Sequence, residues 1–180
     1  GENRARARFA ALAGNAALAS GDALGALTLL TEAEADARAA KSTPLEAIAA
    51  TDRARSLVAL ARGEDGLAAL EAATTLAPER AESWLLKATL LRRLDRLTQA
   101  QTAIERAALL TPGNAEIGLE AGVIAVLSGR DEAARASWQS VLAIAPESPA
   151  AATATDYLAQ LGPAADTAAE MATPQEESQP

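Results

Sequence analysis

Side chains able to do covalent or acid–base work at neutral pH are scarce in this 180-residue chain. It contains neither cysteine nor histidine, which removes thiolate nucleophiles, disulfides, imidazole bases and the usual zinc ligands. An active site would have to be assembled from carboxylates, Lys or Ser. The densest acidic group, Glu32, Glu34 and Asp36, alternates along an Ala-rich stretch and reads as a solvated helix face, not as a catalytic cluster. Gly63, Gly66, Gly113, Gly118, Gly122 and Gly129 are scattered and form no phosphate-binding loop. No catalytic residue, metal site or cofactor is therefore expected, and the chain is not expected to be an enzyme.

Charge narrows the partners. A formal net charge of −8 and a pI near 4.6 repel phosphate backbones and anionic bilayers, so neither nucleic acid nor an acidic membrane surface is an expected ligand. No apolar run reaches the roughly 18 residues that a bilayer span requires, and no membrane insertion is expected. The Ala-rich, Lys-poor usage looks like that of a GC-rich bacterium; a soluble protein is expected, and the absence of cysteine leaves cytoplasm and periplasm both open. Gly1 in place of an initiator Met suggests a processed or engineered start, which leaves open whether a signal or anchor stood upstream.

The elements that would position any binding residues follow from composition and period. Apolar residues make up 49% of the chain and aromatics only 2%, so the interior must be built from Ala and Leu with some Ile and Val. Ala and Leu are the strongest apolar helix formers, and alternating β-branched runs are absent. The class is all-α.

Three segments end alike: residues 67–78 read LAALEAATTLAP, 101–112 read QTAIERAALLTP and 135–146 read RASWQSVLAIAP. Their closing residues Pro78, Pro112 and Pro146 repeat at a constant interval, which marks stacked repeats. Aligned on these prolines, Leu70, Ile104 and Trp138 form one apolar column, Ala73, Ala107 and Val141 a second, and Leu76, Leu110 and Ile144 a third. Spacing of three places them on one helical face. Gly66, Ala100 and Ala134 form a column of small residues where two helices would cross closely. Asn114 and Ser148 are N-caps of the helices that follow, and Pro149 suits a first helical position. Turns are expected at Arg62-Gly63-Glu64-Asp65, Leu94-Asp95-Arg96 and Ser128-Gly129-Arg130-Asp131.

This arrangement resembles the tetratricopeptide repeat family. Trp84 fits its early aromatic, Ala88 and Gly122 its mid-helix small residue, Gly129 its turn, Ala100 and Ala134 its crossing position, and Ile104 and Trp138 its later large residue. The resemblance implies a right-handed superhelical solenoid of helix hairpins, with three repeats over about 44–78, 79–112 and 113–146. Residues 1–43 read as a degenerate hairpin in which Gly14, Gly21, Ala26 and Leu30 fill the family positions. Its second helix continues to about Ala40. Thr43, Pro44 and Glu46 would then cap the next helix. Residues 147–162 are expected to form a C-terminal capping helix, from Pro149 to about Leu161, burying Tyr157, Leu158 and Leu161 before Gly162 ends it. Residues 163–180 have nothing to bury and are expected to be disordered.

In the family the concave surface, lined by first helices, commonly holds an extended peptide or a helix. Carried over residue by residue, that groove comprises Asn15, Thr51, Arg55, Leu85, Thr89, Arg92, Leu119 and Val123. Chaperone-binding members clamp a terminal carboxylate with two Lys, an Arg and paired Asn residues. Glu82 and Leu86 stand where that clamp requires basic residues, so a chaperone tail is not expected. The expected function is a protein-interaction scaffold for a peptide or partner protein; the alternative is a structural module that oligomerises through its apolar ends. Trp84 and Trp138 are read as core filling between hairpins. On this reading Trp138→Ala costs about 3–5 kcal/mol, measurable as a lowered melting temperature and urea midpoint.

Overall fold

The structure is a computed structural model and describes residues 1–163. The expected disorder of the tail falls on residues 164–180, outside the described ones, apart from residue 163. Among the described residues every regular element is a helix, and they divide into two compact units that meet in sequence between Pro112 and Gly113.

The first unit holds α1 (Glu2–Ala19), α2 (Ala23–Ala39), α3 (Thr43–Ala59), α4 (Gly63–Leu76), α5 (Ala81–Arg93) and α6 (Leu97–Leu110). Each packs on the next in sequence, and α1 also touches α3. The second unit holds α7 (Ala115–Leu127), α8 (Asp131–Ile144) and α9 (Pro149–Leu161), with α8 and α9 packed on each other and both on α7.

Two kinds of connection recur, and each follows from local chemistry. Where a helix runs into Pro78, Pro112 or Pro146, the preceding residue leaves helical geometry: Ala77, Thr111 and Ala145 have φ of −137°, −137° and −141°. Proline forces this by crowding the residue before it. The other connections place one residue in the left-handed region: Gly21, Lys41, Ala61, Asp95 and Gly129. In each, two backbone amides reach back to carbonyls of the last helical turn, as Ala61 N does to Val58 O and Arg62 N to Leu57 O at 3.0 and 2.8 Å. This is the Schellman arrangement, which satisfies carbonyls that the ending helix leaves open.

These turns correct two expectations. The left-handed residue between α3 and α4 is Ala61, at φ +59°, and Gly63 is instead the first residue of α4. The capping pair at Thr43 and Glu46 does not form. Ser42 occupies the cap position, and the Glu46 carboxylate accepts a hydrogen bond from Arg38 Nε at 2.8 Å. Asn114 does cap α7, accepting from the amides of Glu116 and Ile117, and Ser148 caps α9 by accepting from Ala151 N.

Alanine is the commonest buried residue, and it is buried where helices cross. Ala26, Ala88, Ala100, Ala107 and Ala134 are each fully buried. The first two apolar columns are buried as well: Leu70, Ile104 and Trp138, then Ala73, Ala107 and Val141. The third column is not. Leu76 and Leu110 are half-buried and Ile144 is exposed, because these residues stand in the last turn, where the helix is leaving its partner. Two glycines mark the closest approaches. A Cβ on Gly14 would fall 2.6 Å from Leu30 Cγ, and one on Gly122 would fall 2.1 Å from Trp138 Nε1.

Trp138 is core, at 4% exposure. Trp84 is not. It is half-buried in the first turn of α5, donates from Nε1 to Pro78 O at 3.0 Å, and carries Lys87 Nζ 5.3 Å from its ring centroid. It covers the loop that precedes its own helix instead of filling a gap between hairpins. The acidic group on α2 is also not simply solvated. Glu34 accepts from Arg53 Nε at 2.8 Å and from Arg38 Nη2 at 3.1 Å, and Asp36 pairs with Arg6, leaving only Glu32 exposed and without an ion pair among the described residues.

A Cβ in the left-handed region costs about 1–2 kcal/mol. Ala61→Gly removes that cost while loosening the unfolded chain by about 0.4–1 kcal/mol. Ala61→Gly is therefore expected to raise the melting temperature by about 2 °C, read by thermal denaturation, whereas Gly21→Ala, at φ +88°, lowers it.

Candidate functional site

The expected groove residues fall in both units, and each unit has its own surface. In the first, α1, α3 and α5 are the first helices of their hairpins. A string of polar contacts crosses all three. Asn15 Nδ2 on α1 donates to Asp52 Oδ2 on α3 at 2.9 Å. Asp52 also accepts from Arg55 Nη1, and Arg55 Nη2 donates to Glu82 Oε1 on α5 at 2.5 Å. Glu82 Oε2 then accepts from Arg80 Nη2 at 2.8 Å. Helical geometry explains the string: Asp52 and Arg55 are three residues apart and share a face.

The electrostatics are balanced. Burial opposes the charge on Arg55, but hydrogen bonds and attraction from Glu82 and Asp52 hold its pKa above the ordinary arginine value. The hydrogen bond from Arg55 holds the Glu82 carboxyl below its usual value, aided by Arg80 and opposed by burial. Arg55 is thus not a free cation awaiting a ligand, as the sequence suggested. It is a bridge between helices.

Thr51 is also not a groove residue. It is fully buried, and its Oγ1 donates to Ala47 O and shares a 2.8 Å hydrogen bond with Ser83 Oγ, joining α3 to α5 internally. Thr51 therefore looks into the α3–α5 seam, one helical step away from Arg55. Leu85, Thr89 and Arg92 are half-buried on α5. Thr89 joins Arg55, Val58, Leu86, Leu90 and Arg93 around a depression of about 130 Å³ between α3 and α5.

The second unit carries a larger cavity, of about 310 Å³, walled by Val123, Val126 and Leu127 of α7 and by Tyr157, Gln160 and Leu161 of α9, with Trp138 of α8 beneath. Its floor is fixed in two ways. Trp138 Nε1 donates to Leu119 O at 3.1 Å across the gap that Gly122 leaves, and the Trp138 and Tyr157 rings lie 5.2 Å apart at 45°. Such tilted aromatic pairs are favoured by the ring quadrupoles. Of the two expected residues here, Val123 lines the cavity, while Leu119 contributes its carbonyl and packs against the core. Tyr157, Leu158 and Leu161 are only half-buried, and the buried side of α9 is Ala150, Ala151 and Ala154. The alanines let α9 lie close, which lifts the larger residues to the rim.

Sequence reasoning missed Asp52 and Glu82 as partners of Arg55. Asp52 was visible as a carboxylate in the middle of an Ala-rich helix, three residues before Arg55. It also missed Val126, Leu127 and Gln160. Leu127, four residues after Val123 and directly before the Ser128-Gly129 turn, was the available signal. Among the described residues no group of three or more carboxylates could hold a metal ion, and no helix is long and apolar enough to cross a membrane.

Stacked two-helix units with small residues at the crossings and proline-closed second helices define the tetratricopeptide fold, and solved structures bear this out. A thermophilic tetratricopeptide repeat protein of Thermus thermophilus matches at TM-score 0.68 and 22% identity, over 84% of this chain and 82% of its own. A tetratricopeptide repeat protein of Parabacteroides merdae matches at TM-score 0.71 and 15% identity, over 89% of this chain and 60% of its own. The first tetratricopeptide domain of Spaghetti, solved bound to an HSP90 peptide, matches at TM-score 0.60 and 14% identity, over 71% of this chain and 94% of its own. At these identities the likeness is one of fold. No protein-family model and no curated protein matches the chain.

The depressed Glu82 pKa carries a pH dependence. A carboxyl whose folded-state pKa lies below its unfolded value contributes stability above the unfolded value, and loses it as pH falls through the folded one. The Arg55–Glu82 contribution is therefore complete above the ordinary value of 4.5 and fades below it. Thermal melts across this range are expected to show wild type losing more stability on acidification than Glu82→Gln.

Proposed function

We propose that this chain is a non-catalytic protein-interaction scaffold, and that the first-helix face of residues 1–112 takes a peptide or a segment of a partner protein. The observation that carries this reading is the cross-helix string from Asn15 through Asp52, Arg55 and Glu82 to Arg80. It fixes three first helices side by side, with polar groups whose charges are already matched. A surface held rigid in this way loses little side-chain entropy when it is covered. Beside it Leu85, Thr89 and Leu86 supply apolar contact at half burial, the mixture of apolar anchor and polar rim usual at interfaces. The fold is compatible with such a role, since the Spaghetti domain is described as bound to an HSP90 peptide.

The charge balance sets the expected ligand chemistry. Because Arg55 is engaged by Asp52 and Glu82, a peptide read mainly through its carboxylates is disfavoured, and one read through apolar side chains and backbone groups is favoured. A photoactivatable residue placed at Leu85 or Thr89 is expected to form polypeptide adducts in extracts of the source cells. The same probe at exposed Glu71 on α4 or Glu105 on α6 is expected to form few. Equal labelling at all four positions would overturn the assignment.

A further inference from the structure

The depression between α3 and α5 carries two hydrogen-bonding groups that the fold does not use. Val58, Leu86 and Leu90 make its walls apolar, and Thr89 and Arg93 line it beside them. Helical threonines of this chain commonly satisfy their hydroxyls on the carbonyl one turn back, as Thr51, Thr74 and Thr75 do. The half-buried Thr89 hydroxyl has no partner among the described residues. Arg93 is exposed and makes no ion pair or hydrogen bond among them either. Its neighbours in sequence differ, since Arg53, Arg55, Arg62, Arg80, Arg92 and Arg96 are all engaged. The nearby carboxylates Asp52 and Glu82 are matched by Arg55 and Arg80, so neither competes for Arg93. An uncommitted guanidinium on the wall of an apolar hollow is complementary to a ligand that joins an apolar group to a carboxylate.

Size and spacing define that ligand. A volume of about 130 Å³ is room for about four waters, hence for about four non-hydrogen atoms. That is the size of a Leu, Ile or Met side chain and less than an aromatic one. Thr89 and Arg93 stand four residues apart on α5, so the root of the guanidinium side chain lies about 5–6 Å beyond the hydroxyl. In an extended segment, side chains on one face recur at every second residue, about 7 Å apart. An aliphatic side chain and a carboxylate two residues later therefore span the hollow and Arg93. A carboxylate on the adjacent residue would stand on the opposite face.

From this complementarity we propose that the α3–α5 depression reads an extended polypeptide segment by an aliphatic side chain followed, two residues on, by Asp or Glu. The aliphatic group fills the hollow against Val58, Leu86 and Leu90. The Thr89 hydroxyl donates to a backbone carbonyl of the segment, and Arg93 pairs with the carboxylate at the margin. The inference rests on the first-helix face assigned above and specifies what that face accepts.

NMR titration of the nitrogen-labelled full chain with the peptide acetyl-Thr-Leu-Thr-Glu-Thr-amide tests it. Shifts are expected at the backbone amides of Leu86, Thr89 and Leu90 and at the Arg93 Nε–H. Ala in place of the peptide's Leu is expected to weaken binding about tenfold. Gln in place of its Glu is expected to weaken binding about two- to fivefold, the range of an exposed ion pair, and moving Glu next to Leu is expected to do the same. Arg93→Gln, on an exposed helix position that Gln suits, is expected to abolish the preference for Glu over Gln and to leave binding of the Gln peptide as in wild type. No shifts at the depression, equal binding of the Ala peptide, or a preference for Glu that survives Arg93→Gln would each overturn the proposal. Polypeptide adducts at Leu85 and Thr89 alongside any of those results would leave the wider face assignment standing, so the two fail separately.

Discussion

Close approach of helix backbones is the constraint on which this structure depends. Where Gly14 meets Leu30, and where Gly122 meets Trp138, the helices lie so near that a single added carbon would collide with the facing side chain. Elsewhere the crossing is lined by fully buried alanines such as Ala26, Ala88, Ala100 and Ala134. A large side chain can therefore be accommodated only opposite a vacancy, and Trp138 occupies the one that Gly122 provides. The position of that ring then organises the second unit. It bonds to the Leu119 carbonyl, sets the tilt of Tyr157 and forms the floor of the cavity between α7 and α9.

What could be read from the chain beforehand follows from which local signals are obligatory. Proline has no amide hydrogen and crowds its predecessor, so Pro78, Pro112 and Pro146 announced three helix ends. The structure places nearly identical backbone angles before each. The left-handed turns were legible where glycine fills them, at Gly21 and Gly129, and obscure where it does not. Lys41 and Ala61 carry no turn signature, which is why the connection between α3 and α4 was placed two residues late, at Gly63. Lys41 also accounts for the missing proline after α2: that helix ends in the same Schellman turn that ends α1 and α3. At Trp84 residue type alone does not distinguish a ring that fills a gap between hairpins from one that lies over its own loop, as this one does.

The candidate sites were legible in part, for a related reason. Helical period places Asn15, Arg55, Leu85 and Thr89 on first helices, but it does not say which neighbour a polar side chain will choose. Thr51 and Arg55 are one turn apart, yet Thr51 is bound to Ser83 in the α3–α5 seam and Arg55 reaches across to Glu82. The deciding contacts are 32 and 27 residues away in sequence, and only the packed arrangement brings them together. The same holds for the α7–α9 cavity, which exists because three buried alanines bring α9 down onto its neighbours and leave Tyr157 and Leu161 at the rim.

The dominance of alanine in the interior bears on how the molecule responds to temperature. A buried alanine withdraws one methyl group from water and forfeits no rotamer freedom, so each core position contributes a small gain against a small loss. Heat capacity of unfolding scales with the apolar area newly wetted, and a core of methyl groups wets less per residue than one of leucine and phenylalanine. The curve of stability against temperature is correspondingly shallower than that of a fold of the same length with a core of larger side chains.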